Sequence, residues 1–379
     1  MIVGIDLHNI RDGGGPNYIR NLLEVADPAL DGFEHIHLFG SADVVALLPD
    51  RAWITKHAVA ELGRGLLSRL RFVAHRLPTA LRAAGCDVLY APGGLAFGNF
   101  RPYATISRNM MPFRPEFWSM YPRFSAERLR LRLLRQLNAA TFARADGMIY
   151  LSRTAEQTIA PRLSRQPTHV AIIPHGVDQQ RFSPAPRIAI AGPETPIRIV
   201  YPSRLEPYKH QVEVIVAFAA IMRDMPNATL TLCGPANPAY RSKVEDAIQA
   251  ADPTNTRIHY IGEVPNASLP ALYADSDLLV FASSCENMPN ILIEAMACGI
   301  PICCSDRSPM PEIARDACLF FDPAVPSLIA DSFVRALGDG KAMLERARLG
   351  ICYAADYSWQ TTARRTFALL GVVAASSTT

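Results

Sequence analysis

The chain has 379 residues and a formal net charge of +3. This length exceeds that at which a single hydrophobic core stops growing, so two domains are expected. The charge is too small to indicate a nucleic acid partner, because proteins that bind a phosphate backbone concentrate lysine and arginine far more strongly.

The eight cysteines lie mostly in apolar runs, and none belongs to a CxxC pair or to a spacing that would hold zinc. They are expected to be reduced and buried. No apolar run reaches the roughly 18 residues that a membrane-spanning helix needs. The segment Met1–Leu7 lacks the basic start and cleavage site of a secretory signal. We therefore expect a cytoplasmic protein, at most peripheral to a membrane.

The first half of the chain alternates between strand-like and helical patterns. Short β-branched and aromatic runs predict strands at Ile2–Leu7, His35–Phe39, Val88–Tyr90, Ala104–Ser107, Gly147–Leu151 and Val170–Pro174. Helical spacing separates most of them, as in Tyr18–Val25 and Leu129–Phe142. This alternation predicts a parallel sheet in a Rossmann-like domain over residues 1–180.

A proline-rich segment, Ser183–Pro196, interrupts this pattern and predicts a linker. The alternation then restarts and predicts a second domain over residues 181–354. Its strands are expected at Ile197–Tyr201, Thr229–Cys233, Ile258–Ile261, Leu278–Ala282, Ile300–Cys304 and Leu319–Phe321, with helices that include Gln211–Met222 and Asn290–Cys298. We predict an α/β fold of two doubly wound domains facing across a cleft, with the ligand beyond the carboxyl ends of the strands.

The segment Phe281–Pro301 joins a strand to a helix through a small polar loop. The strand is expected to end at Ala282, and the helix to run from near Asn290 to Gly299. Asn290 and Glu294 then share a helix face near its amino end. The free N–H groups and the positive dipole there suit a diphosphate.

Glu286 and Glu294 are separated by seven residues, and Glu-Ala-Met-Ala-Cys-Gly-Ile-Pro follows from the second. This pattern resembles the E-x7-E motif of the family 4 glycosyltransferases, which are retaining enzymes with the GT-B fold. The resemblance implies that Glu294 holds the ribose hydroxyls of the donor nucleotide and that Glu286 touches the transferred sugar. Donor contacts are also implied for Asn287, Met288, Pro289 and Asn290. The alternative is that Glu286 is a solvated loop acid and that Glu294 only interacts favourably with the helix dipole.

A second match is Tyr201–His210, where the resemblance implies that Arg204 and Lys209 bind the donor diphosphate. A guanidinium and an ammonium group could offset the charge of a leaving diphosphate without a metal ion, so Arg204, Lys209 and Glu286 are the candidate catalytic residues. A surface ion pair between Arg204 and Glu206 is the alternative.

Gly13, Gly14 and Gly15 follow the first strand, and a helix is expected from near Asn17. A dinucleotide-binding fingerprint would require a third glycine where Tyr18 stands, which argues against NAD. The resemblance implies that Gly14 and Gly15 face the donor phosphate and the acceptor. A plain turn is the alternative.

Many members of that family carry a histidine followed by Asp or Asn after the strand that Ala104–Ser107 resembles. Here Arg108 and Asn109 occupy these positions, and they are candidate sugar contacts. Arginine cannot act as a base at neutral pH, so a role for Arg108 is electrostatic or through hydrogen bonds.

Arginines and aromatic residues are interleaved over Arg101–Arg144, and further arginines lie in Gly63–Arg82. This composition suits contact with an anionic membrane surface and a lipid-diphosphate acceptor. An ordinary solvated basic face is the alternative.

The resemblance implies that a nucleoside diphosphate sugar, with GDP-mannose as one candidate, donates a hexose to a glycan or polyprenyl-diphosphate-linked acceptor in polysaccharide or lipopolysaccharide biosynthesis. It implies no cofactor and no metal ion, and it implies that residues 355–379 cross back to the first domain. A nucleotide-sugar epimerase and a non-catalytic nucleotide-sugar binding protein remain alternatives, since fold alone does not separate them.

Overall fold

The structure is a computed structural model, and it describes residues 1–11, 14–185 and 195–376. Residues 186–194 of the predicted linker lie outside the described residues, as does Gly13. The chain forms two compact units. The first consists of Met1–Pro115, Phe124–Gly176 and the chain from Ser358 onward, and the second of Glu116–Arg123 and Val177–Tyr357.

The first unit contains a seven-stranded parallel sheet in the order β3-β2-β1-β4-β5-β6-β7. Its strands are β1 (Ile2–Asp6), β2 (His35–Gly40), β3 (Ile54–Ala58), β4 (Val88–Ala91), β5 (Tyr103–Ile106), β6 (Gly147–Tyr150) and β7 (His169–Ile172). Six of them confirm the predicted strands. The sequence analysis missed β3, because this edge strand is half-exposed and carries Lys56 and His57 between few apolar residues.

Helices cover this sheet: α1 (Gly14–Val25), α2 (Ala42–Ala46), α3 (Leu66–Arg71), α4 (Leu77–Ala83), α5 (Ala126–Arg144), α6 (Arg153–Ile159) and α14 (Trp359–Ala375), with a π-helical turn Phe72–Arg76 between α3 and α4. The prediction that α1 starts near Asn17 was wrong, since it starts at Gly14. Pro16 is tolerated there because the first-turn N–H groups of a helix have no intrahelical partner. Helix α14 packs against α1 and against strands β4 to β7.

The second unit contains a six-stranded parallel sheet in the order β10-β9-β8-β11-β12-β13. Its strands are β8 (Ile197–Pro202), β9 (Ala228–Cys233), β10 (Ile258–Tyr260), β11 (Leu278–Phe281), β12 (Ile302–Ser305) and β13 (Leu319–Phe321). Its helices are α7 (Gln211–Ile221), α8 (Pro238–Ala251), α9 (Leu269–Ala274), α10 (Asn290–Ala297), α11 (Met310–Ala314), α12 (Pro326–Gly338) and α13 (Gly340–Ala354). All six predicted strands are confirmed.

In each sheet the strand order reverses beside the first strand of the unit. The reversal lies between β1 and β4 in the first sheet and between β8 and β11 in the second. Ligands of doubly wound sheets bind beyond the carboxyl ends of the strands at such switch points. The loops that follow these four strands are therefore the places to look for function.

Most cysteines are buried, as predicted, although Cys86 is half-buried and Cys352 is exposed. Burial raises the pKa of the Cys303 thiol to about 12, so this group behaves as an apolar core side chain at neutral pH. No helix in the described part of the chain is both long and apolar enough to cross a bilayer.

Candidate active site

Two loops meet at the switch point of the second sheet. Residues 203–210 follow β8, and residues 282–289 follow β11. The Ser284 backbone N–H donates a hydrogen bond of 2.8 Å to the Tyr208 carbonyl, so the two loops are joined directly. Arg204, Lys209 and Glu286 therefore share this edge of the sheet, as the sequence predicted.

Lys209 and Glu286 form an ion pair between the Nζ and Oε1 atoms. Lys209 is only 8% exposed, and its ammonium group lies 5.2 Å from the centre of the Phe281 ring and 5.5 Å from that of Tyr208. The Tyr201 hydroxyl donates to the Lys209 carbonyl at 2.5 Å and fixes the backbone. Removing two charges from water costs free energy, so this ion pair is weak evidence for stability. Its position at the switch point of the sheet favours a functional role instead.

His210 ends this loop in the left-handed conformation, with a φ of 54°. Helix α7 begins at Gln211, as predicted, after a short 3₁₀ turn and this left-handed residue. Glycine adopts this conformation without steric cost, so histidine is the less favourable residue here. Contacts of the His210 ring with Ser284 Oγ and, at 3.4 Å, with Glu213 Oε1 hold the less favourable residue in place.

Arg204 is 56% exposed, and its Nε atom donates to Glu206 Oε1 at 3.3 Å. The ion pair named above as the alternative is therefore present. Glu206 also accepts from Asn237 Nδ2 at 3.2 Å and from the Tyr121 hydroxyl at 3.4 Å. An exposed pair of this kind contributes little to stability, so the guanidinium can exchange this partner for a ligand. The structure does not bring Arg204 into contact with Lys209.

Glu294 lies in the second turn of α10 and is half-buried. Burial raises its pKa to about 7, although the positive charge of Arg181 and a hydrogen bond with the buried Tyr273 act in the opposite direction. A carboxyl group that titrates near neutrality is typical of a functional site. Glu286 instead forms the ion pair with Lys209, so the two glutamates of the motif have different surroundings.

The loop between the two glutamates packs closely: Asn287, Met288 and Pro289 are buried, and Asn290 is exposed as the first residue of α10. The predicted end of this helix is confirmed, because Gly299 follows it with a φ of 65°. The amino end of α10 is thus exposed to solvent at Asn290, and Glu286 and Glu294 lie before and after it in the sequence.

In the first unit the structure brings Gly14 and Gly15 next to Arg108. A Cβ atom on Gly15 would lie 3.6 Å from Arg108 Nη1, and one on Gly14 would lie 3.9 Å from Nη2. The guanidinium stacks over the Tyr18 ring at 5.1 Å, and the Tyr18 and Tyr90 hydroxyls are 2.7 Å apart beneath it. Burial lowers the pKa of Arg108. Arg108 brings a positive charge to the amino end of α1, where the helix dipole is also positive. This arrangement is unfavourable without a negative charge nearby, so it favours an anionic ligand.

Asn109 is exposed, and its Oδ1 accepts a hydrogen bond of 3.1 Å from the backbone N–H of Met111. Its side-chain oxygen thus accepts from the first residue of the following 3₁₀ turn, which leaves the amide nitrogen as the group that could contact a sugar.

Several residues of these sites were missed. Tyr201, Tyr208 and Tyr273 resemble core residues in the sequence, and nothing in their spacing indicates their neighbours. Gly234 follows β9 with a φ of 135°, and a Cβ there would lie 2.4 Å from the Ser203 carbonyl oxygen. The Gly-Pro dipeptide that begins at this residue was the available signal for such a close approach.

Comparison with known proteins agrees with this geometry. The profile of the family "Glycosyl transferases group 1" matches residues 186–350. The O-antigen chain mannosyltransferase B of Escherichia coli is 29% identical over 171 residues, which are 44% of this chain and 44% of that protein. The D-inositol 3-phosphate glycosyltransferase of Salinispora tropica is 25% identical, over 93% of this chain and 80% of that protein.

Among solved structures, the sucrose-phosphate synthase of Thermosynechococcus elongatus superposes with a TM-score of 0.76, at 18% identity and over 99% of each chain. At this identity the likeness establishes the fold, which is GT-B. The match to the mannosyltransferase spans less than half of that protein's length. Residues 186–350 therefore carry the profile of the group 1 glycosyl transferases, the chain is similar in sequence to enzymes named as glycosyltransferases, and its fold is GT-B.

Proposed function

We propose that the protein transfers a hexose from a nucleoside diphosphate sugar to a glycan or a polyprenyl-diphosphate-linked acceptor, with retention of the anomeric configuration. The observation that carries this proposal is the buried contact between Lys209 and Glu286 at the switch point of the second sheet. This contact holds a cation and a carboxylate beyond the carboxyl ends of the strands, which supports the proposal that a diphosphate and the sugar attached to it bind there.

The donor would bind between the loops after β8 and β11. Glu294 accepts hydrogen bonds from the two ribose hydroxyls, while the amino end of α10 and the backbone of residues 287–290 receive the phosphates and the sugar. Glu286 contacts the transferred sugar. In the first unit, we propose that Gly14, Gly15 and Arg108 contact a phosphate or another anionic group and that Asn109 contacts a sugar.

In the reaction, the acceptor oxygen forms a bond to the anomeric carbon, and the electron pair of the broken bond leaves with the diphosphate. Lys209 and Arg204 stabilise the negative charge that develops on this leaving group. These two cations supply the charge that a metal ion provides in other transferases, so we propose transfer without a metal ion or a cofactor.

The relative from Escherichia coli is named for mannosyl transfer to O-antigen chains. On this basis we propose GDP-mannose as the first donor to test, and polysaccharide or lipopolysaccharide assembly in the cytoplasm as the process. The experiment is incubation with GDP-mannose and UDP-glucose, with and without a polyprenyl-diphosphate saccharide. Nuclear magnetic resonance then follows the anomeric configuration of donor and product. Our proposal requires product with the donor's configuration.

The same experiment separates the alternatives. An epimerase would convert one donor sugar into another without acceptor, and a binding protein would leave every donor unchanged. Either result would replace our proposal.

We also propose that the first unit contacts the cytoplasmic membrane surface. The start of α5 and the chain just before it expose apolar side chains near arginines: Phe124 is 93% exposed and Leu129 69%, and Arg130 and Arg132 are exposed too. Apolar anchors mixed with basic charge favour anionic lipid headgroups. Cosedimentation with vesicles of phosphatidylglycerol and phosphatidylcholine tests this. Binding should fall when Arg128, Arg130 and Arg132 are changed to glutamate, and unchanged binding would exclude the idea.

A further inference from the structure

Ser284 holds the chain on both sides of Lys209. Its backbone N–H donates to the Tyr208 carbonyl at 2.8 Å, and its hydroxyl contacts the Nε2 atom of the His210 ring. Tyr208 and His210 are the residues immediately before and after Lys209, so both contacts act on the backbone that carries the lysine side chain. Ser284 itself lies two residues before Glu286, the ion-pair partner of Lys209. All of these residues belong to the second unit.

The His210 ring is enclosed between the loop after β11 and helix α7. It is 3% exposed, and its Nδ1 atom lies 3.4 Å from Oε1 of Glu213 in the first turn of that helix. The His210 carbonyl accepts a hydrogen bond of 3.0 Å from the Val214 N–H, so the backbone of this residue is tied to the same helix. The ring therefore links the loop after β8 both to α7 and to the loop that carries Glu286.

The backbone of His210 adopts a conformation that costs free energy. Its φ of 54° and ψ of 35° lie in the left-handed region, which residues other than glycine adopt at a steric cost. Residues in such conformations persist where the surrounding contacts determine them, and they cluster at functional sites. Glycine would fit this backbone better, so what histidine supplies here is its ring and the contact of that ring with Ser284.

We propose that His210 is a positioning residue for Lys209: through Ser284 it keeps the lysine ammonium group where the leaving diphosphate develops its charge. The inference rests on the proposed transfer reaction. In that reaction the acceptor oxygen bonds to the anomeric carbon, its proton passes to the departing phosphate, and the electron pair of the broken C–O bond leaves with the diphosphate. A cation stabilises this charge most when it is already in place before the bond breaks. His210 acts through Lys209 and takes up no proton.

Replacing His210 by glycine separates its ring from its backbone. Glycine removes the contact with Ser284 and relieves the left-handed conformation, so a histidine that served only the fold of the loop would be replaced at little cost. His210→Gln is the conservative variant, because its side-chain amide keeps a polar group that can reach the Ser284 hydroxyl. Asn255→Gly is the matched control, since Asn255 is exposed and is also left-handed, with a φ of 51°.

The experiment measures kcat and the donor KM with GDP-mannose and UDP-glucose as donors and a polyprenyl-diphosphate saccharide as acceptor. In His210→Gly we expect kcat to fall roughly 10- to 100-fold, because a small displacement of a catalytic group has an effect of this size. The donor KM should stay nearly unchanged, since a displaced ammonium group still attracts the bound diphosphate. His210→Gln should keep most of the wild-type kcat, and Asn255→Gly all of it.

Ser284→Ala breaks the same contact from the other side, while its backbone N–H still bonds to Tyr208. It should lower kcat in the same way, and the double variant with His210→Gly should lose no more than the larger single loss. If His210→Gly fails to fold in urea unfolding measurements, Ser284→Ala decides the question by itself.

Wild-type kcat in His210→Gly or in Ser284→Ala would overturn the inference. Losses that add up in the double variant would also overturn it, because the ring would then act independently of Ser284. A rise in the donor KM at constant kcat would overturn it too, since His210 would then serve only donor binding. If the wild-type protein binds nucleotide and transfers no sugar to any acceptor, the proposed function itself fails, and that result is distinct from a loss confined to the variants.

Discussion

Replacing Glu294 by glutamine should make the protein more stable at pH 8 and abolish its affinity for nucleotide. Burial raises the pKa of Glu294 to about 7, against 4.5 for a free glutamate side chain. The folded state therefore holds the proton more tightly than the unfolded state does. Stability falls as the pH rises from 4.5 to 7 and stays low above that range.

The magnitude follows from the difference in pKa. At 1.36 kcal/mol for each unit, the ionised carboxylate costs about 3 kcal/mol above pH 7. This is an upper bound, because Glu294 keeps partial contact with solvent. Glutamine has the same shape and carries no charge, so it removes the cost. Glu245→Gln, on the exposed face of α8, is the matched control and should change stability little.

The assay is urea unfolding of wild type, Glu294→Gln and Glu245→Gln at several pH values from 5 to 8. The variant should gain stability over wild type as the pH rises, with little difference at pH 5. The ionised form is the stronger acceptor for ribose hydroxyls, so wild-type nucleotide affinity should fall below pH 7. A Glu294→Gln protein that is less stable than wild type at pH 8, or that binds nucleotide as tightly, would refute this reasoning.

Three further predictions concern charge. Lys209→Ala leaves the partly buried Glu286 without a counter-charge and should cost up to about 3 kcal/mol of stability, the low end for a broken buried pair. Lys209→Met with Glu286→Gln should recover much of this in urea unfolding without restoring nucleotide binding, and Lys243→Ala on α8 is the exposed control. Additive losses in the double variant would contradict the pair. Burial lowers the pKa values of His37 and His57, and the neighbouring histidines lower that of His37 further. The folded state therefore resists protonation, and the free energy of unfolding should fall as the pH drops below about 6.5. The double variant His37→Gln with His57→Gln should flatten that part of the pH profile, and an unchanged profile would contradict this. Transfer should survive EDTA, since Lys209 and Arg204 carry the electrostatic role; activity that EDTA abolishes and magnesium restores would overturn metal independence.

The alternation of strands and helices was readable from the sequence because buried parallel strands form short apolar runs. Twelve of the thirteen strands in the described residues follow this rule. Strand β3 breaks it, because an edge strand needs only a partly apolar face and Ile54–Ala58 includes Thr, Lys and His. The start of α1 was misplaced because glycines normally end helices, whereas here they open one.

Only part of the candidate site could be predicted from the sequence. The spacing of Glu286 and Glu294 identified the loop, yet it could not show that one forms an ion pair with Lys209 while the other titrates near neutrality, because both properties depend on residues distant in sequence. Arg204 was expected to serve the diphosphate, with an ion pair to Glu206 as the alternative, and the structure contains that ion pair.

The most direct test of the account is thermal unfolding with UDP, GDP and ADP for the wild-type protein, Lys209→Ala and Glu294→Ala. A ligand at one hundred times its dissociation constant stabilises the folded state by about 2.7 kcal/mol, which raises the melting temperature by a few degrees. We predict a shift with one nucleotide in the wild-type protein and none in either variant. No shift with any nucleotide, or an equal shift in the variants, would contradict a donor site built from Lys209, Glu286 and Glu294.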